Sequence, residues 1–281
     1  MHGSARAPAA GTVLNALATG RGSAFAIDEY VHATVDLDDS GTVTGTVADA
    51  PDADTTLIEA CVSAVVDAHG DGEGGHVRTE TEIPMAGGLK SSSAAANATV
   101  LATLAALDVD LTRVEACRLG VDAARAAGVT VTGAFDDASA SMLGGVTVTD
   151  NTRDALLDRR DRDWEVAVFV PDERAYSADA DVERCERVAP TARVVEELAR
   201  EGRYGEAMTV NGFAFCAALD FDTEPMVAAL PEVAGVSLSG TGPSYVAVGE
   251  RAAVTAARDH WNDYEGTTWL TTTQTEGARP T

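Results

Sequence analysis

A glycine turn at residues 84–95 joins a strand pattern to a helix pattern and limits the folds open to this chain. Residues 77–83 predict a strand, and residues 92–107, mostly alanine, leucine and threonine, predict a helix. Gly87 and Gly88 between them permit positive φ and a close backbone approach. The sequence therefore predicts a strand, a tight loop and a helix in direct succession.

Lys90 lies in this turn and is the only lysine among the 20 basic residues. A helix that begins near residues 91–93 points its unpaired N–H groups and the positive end of its dipole at the turn, where an anion is favoured. Ser91, Ser92 and Ser93 add hydroxyls for phosphate oxygens or Mg²⁺, and Lys90 adds a compact positive charge. These residues predict a phosphate-binding loop.

An interpretation without a ligand also exists, because Ser-Ser-Ser-Ala can cap a helix and Gly-Gly can turn the chain. The lysine argues against it, since a helix cap needs no cation. A Walker-type loop is excluded, because that loop has glycine directly before the lysine and this chain has Leu89 there.

The segment resembles the second motif of the GHMP kinase superfamily, Pro-x-x-x-Gly-Leu-x-Ser-Ser-x-Ala. The matching residues are Pro84, Gly88, Leu89, Ser91 and Ser92. Most members have glycine where Lys90 stands. The form Gly-Leu-Lys-Ser-Ser-Ser-Ala resembles the archaeal type of shikimate kinase within that superfamily.

Three further segments resemble motifs of that branch, in the same order along the chain. Residues 15–28 resemble its opening motif, which lines the substrate side of the site. Residues 132–145 resemble its acidic motif, and residues 238–244 resemble the third GHMP motif, a glycine loop that packs beside the phosphate loop.

The resemblance implies a kinase that uses ATP and Mg²⁺ and has shikimate as its small-molecule substrate. The residues implied in nucleotide binding are Pro84, Gly87, Gly88, Leu89, Lys90, Ser91, Ser92, Ser93, Gly240 and Gly242. Ser91 or Ser92 would help to hold the metal. Lys90 would neutralise the charge that builds on the transferred phosphoryl group.

Asp136 and Asp137 in the acidic motif are flanked by small residues, which suits a site where backbone and ligand lie close. Phosphoryl transfer to an alcohol profits from a carboxylate that orients the hydroxyl and accepts its proton. The spacing to Gly144 in mevalonate-type kinases implies Asp137, whereas homoserine-kinase spacing implies Asp136. Both remain candidates for the catalytic carboxylate, beside the alternative of a solvated turn.

Arg21 and Asp28 in the opening motif are candidate substrate-binding residues. Arg21, between two glycines, has a planar fork that suits a carboxylate or a phosphate. Asp28 could accept hydrogen bonds from ring hydroxyls. Either residue could instead belong to the solvated surface.

A formal charge of −25, from 45 acidic and 20 basic residues, argues against nucleic acid and anionic membranes as partners, because both would repel the chain. Scarce lysine and abundant acidic residues predict a cytoplasm of very high salt, where screening makes a dense negative surface tolerable. GC-rich codon usage is a second cause of scarce lysine, but it does not by itself favour acidic residues over arginine.

No apolar run of transmembrane length and no signal-peptide pattern occurs, which predicts a soluble cytoplasmic protein, either monomer or homodimer. The four cysteines are widely spread without a Cys-x-x-Cys pair, which predicts buried free thiols and no zinc site.

Short strands mixed with helix pairs predict an α+β protein. The helices are predicted at residues 55–68, 92–107, 111–127, 189–201, 204–219, 224–230 and 252–264. Strands are predicted at residues 24–37, 43–47, 77–83, 146–149 and 164–170, and near Val236 and Tyr245. Residues 150–163 are predicted to be a surface connection and residues 271–281 a loose tail.

Topology comes from the resemblance alone. It implies the GHMP kinase fold, with an N-terminal domain like the second domain of ribosomal protein S5 (residues 1–155) and a ferredoxin-like C-terminal domain (residues 156–281). The site would lie in the cleft between them. A homoserine or mevalonate kinase, or a nucleotide-binding protein without catalysis, remains an alternative, although two adjacent aspartates argue against the last.

Overall fold

The computed structural model describes residues 1–48, 50–83, 88–130, 134–172 and 180–281. The strands in these ranges are β1 (His2–Leu14), β2 (Arg21–Asp38), β3 (Val43–Val47), β4 (Gly74–Thr81), β5 (Val146–Asp150), β6 (Ala155–Arg160), β7 (Glu165–Pro171), β8 (Gly235–Leu238), β9 (Tyr245–Gly249), β10 (Gly266–Thr272) and β11 (Arg279–Pro280). The helices are α1 (Thr56–His69), α2 (Ser91–Ala106), α3 (Arg113–Ala126), α4 (Phe135–Leu143), α5 (Val182–Glu186), α6 (Ala189–Glu201), α7 (Tyr204–Leu219), α8 (Glu224–Ala229) and α9 (Arg251–Trp261).

The first sheet is built around the long antiparallel pair β1 and β2, which are joined by a short 3₁₀ turn at Ala16–Ala18. Its strand order is β11-β1-β2-β4-β3, and β5 pairs with both β2 and β6. Strand β5 lies opposite the first five residues of β2, from Arg21 to Phe25. Residues 23–25 of β2 are therefore held between β1 and β5, whereas Arg21 pairs with Asp150 of β5.

Helix α2 is buried along most of its length, because its side chains are small. It packs on β1 and β2 and contacts α1, α3 and α4. Gly3 of β1 lies so close to the helix that a Cβ there would come within 2.1 Å of Ala102 O. The small side chains thus let α2 pack close to the sheet, and this short distance determines where the N-terminus of α2 lies.

The second sheet is antiparallel, with the order β10-β7-β9-β8. In chain order its strands and helices form a β-α-β-β-α-β unit with spatial order 4-1-3-2, the ferredoxin-like arrangement. Phe169, Tyr245 and Trp261 stack in its core, with ring centroids 5.9 and 6.0 Å apart. The ferredoxin-like topology implied by the resemblance is confirmed.

Most predicted elements are present, and α6 and α7 have the predicted ends. Strand β1 and helix α4 were not predicted. The alanine, glycine and proline of β1 have low strand propensity, so the strand exists because β2 and β11 hydrogen-bond to it on both sides.

Two predictions about irregular segments are wrong. Residues 150–163, expected to be a surface connection, contain β6, which forms a hairpin with β5. Residues 271–281, expected to be loose, cross the first sheet. Gln274 N–H donates to Ala26 O (3.0 Å), Ala278 is fully buried, and β11 pairs with β1. Polar composition suggested exposure, but backbone hydrogen bonds hold both segments.

The expected division between residues 155 and 156 falls inside β6, and β11 returns the chain to the first sheet. The two-domain division stays a prediction. All four cysteines are free and buried, as predicted. No helix in the described ranges combines the length and apolar character that a membrane crossing requires.

The acidic surface leads to a stability prediction. With a net charge of −25, the folded chain repels itself in dilute buffer, and salt shortens the range of that repulsion. We expect the melting temperature to rise by at least about 10 °C between about 0.1 and about 2 M KCl, as a gain of a few kcal/mol produces in a chain of this size. Differential scanning calorimetry at several KCl concentrations measures the shift, and a constant melting temperature would contradict the prediction.

Candidate active site

Helices α2 and α4 begin next to each other, and their first residues form a charge pair. Lys90 precedes α2, and Asp137 lies in the first turn of α4. Lys90 Nζ lies 2.9 Å from Asp137 Oδ1, and the two side chains are only 8% and 17% exposed. The fold thus joins the lysine of the predicted phosphate loop to one of the two candidate carboxylates.

The N-terminus of α2 is suited to an anion. Lys90 has a left-handed backbone (φ 63°), and its side chain makes no cap hydrogen bond to the helix. The first N–H groups of a helix have no partner within it, and the positive end of the dipole lies there. Of the three serines, Ser92 is exposed, Ser91 half-buried and Ser93 buried. Ser91 and Ser92 can therefore present hydroxyls to a ligand.

The glycine loop that follows β8 packs directly on the loop before α2. Ser239 Oγ donates a hydrogen bond to Gly88 O (2.9 Å). A Cβ on Gly88 would lie 2.5 Å from Ser239 O and 2.8 Å from Gly242 O, and Gly88 has φ 78°. Both the contact and the conformation require glycine. The loop before α2 and the glycine loop after β8, about 150 residues apart in sequence, are therefore in direct backbone contact.

Strand β1 anchors the second of these loops through Gly240. The Gly240 N–H donates to Thr12 Oγ1 (2.8 Å), and Asn15 Nδ2 donates to Gly240 O (2.8 Å). The backbone N–H of Asn15 in turn donates to Asn211 Oδ1 of α7 (2.9 Å). These groups are all buried, so they fix the loop from the first sheet on one side and from α7 on the other.

Gly240 also limits the space around Lys90, which gives a testable prediction. A Cβ on Gly240 would lie 2.9 Å from Lys90 Nζ and 3.2 Å from Gly88 O. We expect Gly240→Ala to displace the ammonium group and to lower kcat/KM for the nucleotide that the sequence resemblance implies by about tenfold to 100-fold, because small misplacements of groups in a site have effects of this size. Steady-state kinetics measures it.

Gly41→Ala is the matched control. Gly41 also has positive φ (66°), but a Cβ added there would lie 3.8 Å from its nearest neighbour, Gly72 O. The control therefore carries the same backbone strain without a steric conflict near the site. Similar kinetics for the two variants would contradict a specific effect at Lys90.

Asp136 has a different environment from its neighbour Asp137. Its side chain is buried, and a Cβ on Gly22 would lie 2.4 Å from Asp136 Oδ2. Asn151 Nδ2 donates to Asp136 Oδ1 (2.6 Å). Burial, and then the charge of Asp137, raise the pKa of Asp136 to about 7, although Lys90 and Asn151 oppose the shift. The carboxyl group of Asp136 is therefore buried and hydrogen-bonded to Asn151, whereas the carboxylate of Asp137 contacts Lys90.

This difference predicts how Asp136→Asn changes the pH dependence of stability. The folded protein keeps a proton on Asp136 that the unfolded chain loses above about pH 4. The unfolded state then binds fewer protons at this group, so the contribution of Asp136 to the free energy of unfolding falls as the pH rises from about 4 to about 7. We expect the variant to lose less stability over this range. Thermal unfolding at both ends, in molar KCl, tests it, and equal losses would contradict the prediction.

The structure places the two substrate-binding candidates in different surroundings. Arg21 Nη1 forms an ion pair with Asp150 Oδ2 (2.5 Å), and Arg21 directly precedes Gly22, on which Asp136 packs. Asp28 lies six residues beyond Gly22 on β2, roughly 20 Å along an extended strand. It is exposed and accepts a hydrogen bond from Tyr30 Oη (2.7 Å). Side chains alternate along a strand, so Arg21 faces the side of the sheet opposite Asp136, and its Nε lies 3.9 Å from Glu196 Oε1 of α6. These contacts bring neither Arg21 nor Asp28 to Asp136.

The remaining candidates concern the nucleotide and the metal. Leu89 is buried, and its carbonyl accepts a hydrogen bond from Ala10 N–H of β1 (3.2 Å). Leu89 therefore anchors the loop to the sheet by its side chain and its backbone. Pro84 and Gly87 lie outside the described residues. The residues that the structure describes contain no cluster of three or more histidine, cysteine, aspartate or glutamate side chains that could hold a metal ion.

Sequence reasoning missed several buried polar residues that hold this site together. Thr12 Oγ1 accepts a hydrogen bond from Gly240 N–H in the glycine loop after β8. Asn97 Nδ2 of α2 donates to Ala138 O of α4 (2.9 Å), and Asn151 Nδ2 donates to Asp136 Oδ1. Their side chains are at most 3% exposed. An amide inside an alanine-rich helix was the one available signal, since a buried polar side chain requires a partner.

The sequence and structure are similar to those of known kinases. The family model described as GHMP kinases N terminal domain matches residues 56–145. The chain is 64% identical to a shikimate kinase of Halobacterium salinarum over 100% of both chains. It is 51% identical to a shikimate kinase of Methanosarcina mazei, over 93% of this chain and 90% of that one.

Solved structures show the same fold at low sequence identity. A homoserine kinase from Cytophaga hutchinsonii has a TM-score of 0.80 and 17% identity, over 100% of this chain and 97% of the other. The mevalonate kinase of Methanococcus jannaschii has a TM-score of 0.77 and 14% identity, over 97% and 98% of the two chains. The architecture of both sheets is therefore shared with small-molecule kinases.

Proposed function

The chain belongs to the GHMP kinase family, in the branch of the archaeal shikimate kinases, and from this membership we propose how its residues act. It is an ATP-dependent phosphotransferase with an alcohol as acceptor. It transfers the γ-phosphoryl group of ATP to the 3-hydroxyl of shikimate and releases shikimate 3-phosphate and ADP. The observation that supports the residue roles is the Lys90–Asp137 pair at the start of α2 and α4.

Asp137 is the proposed proton acceptor. As the hydroxyl oxygen forms its bond to the γ-phosphorus, the bond to the bridging oxygen of ADP breaks and ADP leaves with that electron pair. The hydroxyl proton passes to the Asp137 carboxylate late in the reaction. Because the carboxylate is only 17% exposed, water competes little for the acceptor position.

Lys90 holds Asp137 in the ground state and is the proposed charge partner of the transferred group. Its ammonium lies between the Asp137 carboxylate and Gly240. Negative charge that develops on the phosphoryl oxygens would be stabilised by this ammonium and by the N–H groups at the start of α2.

The residues present fit ATP and Mg²⁺. The start of α2 has no side-chain cap from Lys90, and Ser92 in its first turn is exposed. Residues 88–93, Gly240 and Gly242 would hold the triphosphate, and Ser91 or Ser92 would help to hold the metal. Bound ATP supplies the phosphoryl group, and Mg²⁺ neutralises its charge.

Arg21 is the proposed contact for the substrate carboxylate. Its guanidinium has donors beyond the one facing Asp150, and it is 34% exposed. A small-molecule partner and a cytoplasmic location complete the proposal.

One assay tests the substrate. Purified protein in molar KCl with Mg²⁺ and ATP is given shikimate, homoserine or mevalonate, and ADP release is measured by a coupled or chromatographic method. We expect turnover with shikimate at a kcat/KM at least about 100-fold above the other alcohols, because a site built to bind a substrate's polar groups rejects compounds that lack them. Preference for another alcohol would overturn the substrate, and ATP binding without turnover would overturn the activity.

A further inference from the structure

Asn151, the residue directly after β5, makes an unusually complete set of contacts with Asp136. Its Nδ2 donates to Asp136 Oδ1 (2.6 Å), and its Oδ1 accepts a hydrogen bond from the Asp136 N–H (3.1 Å). The same Oδ1 accepts a hydrogen bond from Thr149 Oγ1 (2.7 Å). The Asn151 backbone N–H donates to Gly20 O (2.8 Å). The side chain is 3% exposed, so these bonds do not compete with bulk water.

The side-chain amide of Asn151 therefore hydrogen-bonds to both the backbone and the side chain of Asp136. Asp136 is the second residue of α4, and its N–H is one of those without a partner inside the helix. Asn151 Oδ1 caps this N–H from another element, while Nδ2 fixes the direction of the carboxyl. Gly22 packs against the other carboxyl oxygen. The first turn of α4 is thus fixed in rotation and in position.

Asp137 is the next residue, so anything that fixes this turn also fixes the carboxylate that contacts Lys90. We propose that Asn151 is a positioning residue for phosphoryl transfer, which holds the first turn of α4 so that Asp137 stays on Lys90. This inference rests on the proposed function. It assigns Asp136 to the support of the site and not to the reacting hydroxyl.

An amide is needed here, because the position requires one acceptor and one donor on a short side chain. Leucine has neither, and an ionised aspartate lacks the donor and would face the Asp136 carboxyl. A protonated aspartate, in contrast, has both. The charged groups that act on Asp136 are Asp137 on α4 and Lys90 before α2, whereas Arg21 on β2 and Asp150 on β5 pair with each other.

The first test compares Asn151→Leu and Asn151→Asp with the wild type in molar KCl, with kcat expressed per folded molecule from circular dichroism. We expect both variants to lower kcat at about pH 8 by at least about tenfold, with KM for ATP and shikimate changed less than about threefold. The kcat of Asn151→Asp relative to wild type should rise as the pH falls to about 6, whereas that of Asn151→Leu should not. Asn151→Leu with kcat within about twofold of wild type would overturn the proposal.

The second test exchanges the two residues. Asp136→Asn combined with Asn151→Asp restores an amide–carboxylate pair with the same backbone cap, in reverse order. If Asn151 acts by holding the first turn of α4, the kcat of the double variant should be at least about tenfold higher than that of Asn151→Asp alone. If the double variant folds as the wild type does but regains no activity, Asp136 itself is required and the proposal is overturned.

The wild-type assay separates this inference from the proposed function. Wild-type turnover of shikimate with unaffected Asn151 variants would remove the positioning role alone. A wild type that phosphorylates another alcohol would overturn the substrate, and the same variants measured on that alcohol would still decide the role of Asn151.

Discussion

Asp137→Asn is expected to lower kcat for shikimate by at least about 100-fold, because general-base catalysis contributes about 10²- to 10⁴-fold. The amide is isosteric and can still contact Lys90, so KM for ATP and shikimate should change little. It cannot accept the hydroxyl proton. Steady-state ADP release at saturating substrates, in molar KCl, measures the loss.

Asp136→Asn is the paired control, because it makes the same chemical change one residue earlier. An asparagine there keeps an acceptor for Asn151 Nδ2 and a buried polar side chain. We expect kcat to fall by less than about tenfold, since the support of the turn is retained. The reverse order, a larger loss for Asp136→Asn, would make Asp136 the proton acceptor and would contradict the assignment.

Lys90→Met is expected to lower kcat/KM for ATP by about 10²- to 10³-fold, the range seen when one preorganised electrostatic contact is lost. It removes the ammonium 2.9 Å from Asp137 and leaves that carboxylate without this partner. Lys90→Arg should not restore activity, because Gly240 packs against the lysine tip and a guanidinium is larger.

A control variant and a double variant test whether the effect of Lys90→Met is specific to the site. Arg125→Met removes the cation in the last turn of α3, which pairs with Asp154, and should leave the kinetics unchanged. Combined with Asp137→Asn, Lys90→Met should cost less than the product of the single losses, because the two side chains form one unit. Wild-type kinetics for Lys90→Met, or full additivity in the double variant, would remove Lys90 from the mechanism.

The sequence predicted the local parts of the site well. The glycine turn, the serines and the alanine-rich segment predicted the start of α2 within one residue, since helix propensity and turn chemistry act over a few neighbouring residues. The elements that were missed depend on distant partners. Strand β1 is held by β2 and β11, and the C-terminal segment by Ala26 and β1, so composition alone misjudged both.

The choice between Asp136 and Asp137 shows the same limit. Adjacent residues on a helix point about 100° apart, so which carboxylate faces Lys90 depends on how α4 is rotated against its neighbours. That rotation follows from Asn151, Gly22 and Asn97, which lie on other strands and helices.

The amino-acid sequence by itself determined the family motifs, the position of the glycine turn before α2, the strong negative charge and most helices. Only the tertiary structure decided that Lys90 pairs with Asp137, that Asp136 is buried on Asn151, that Arg21 pairs with Asp150 and that Asp28 bonds to Tyr30. The physical reason is range: propensity and turn chemistry are read from neighbours in the chain. Charge pairing and burial depend on packing between elements that are far apart in sequence.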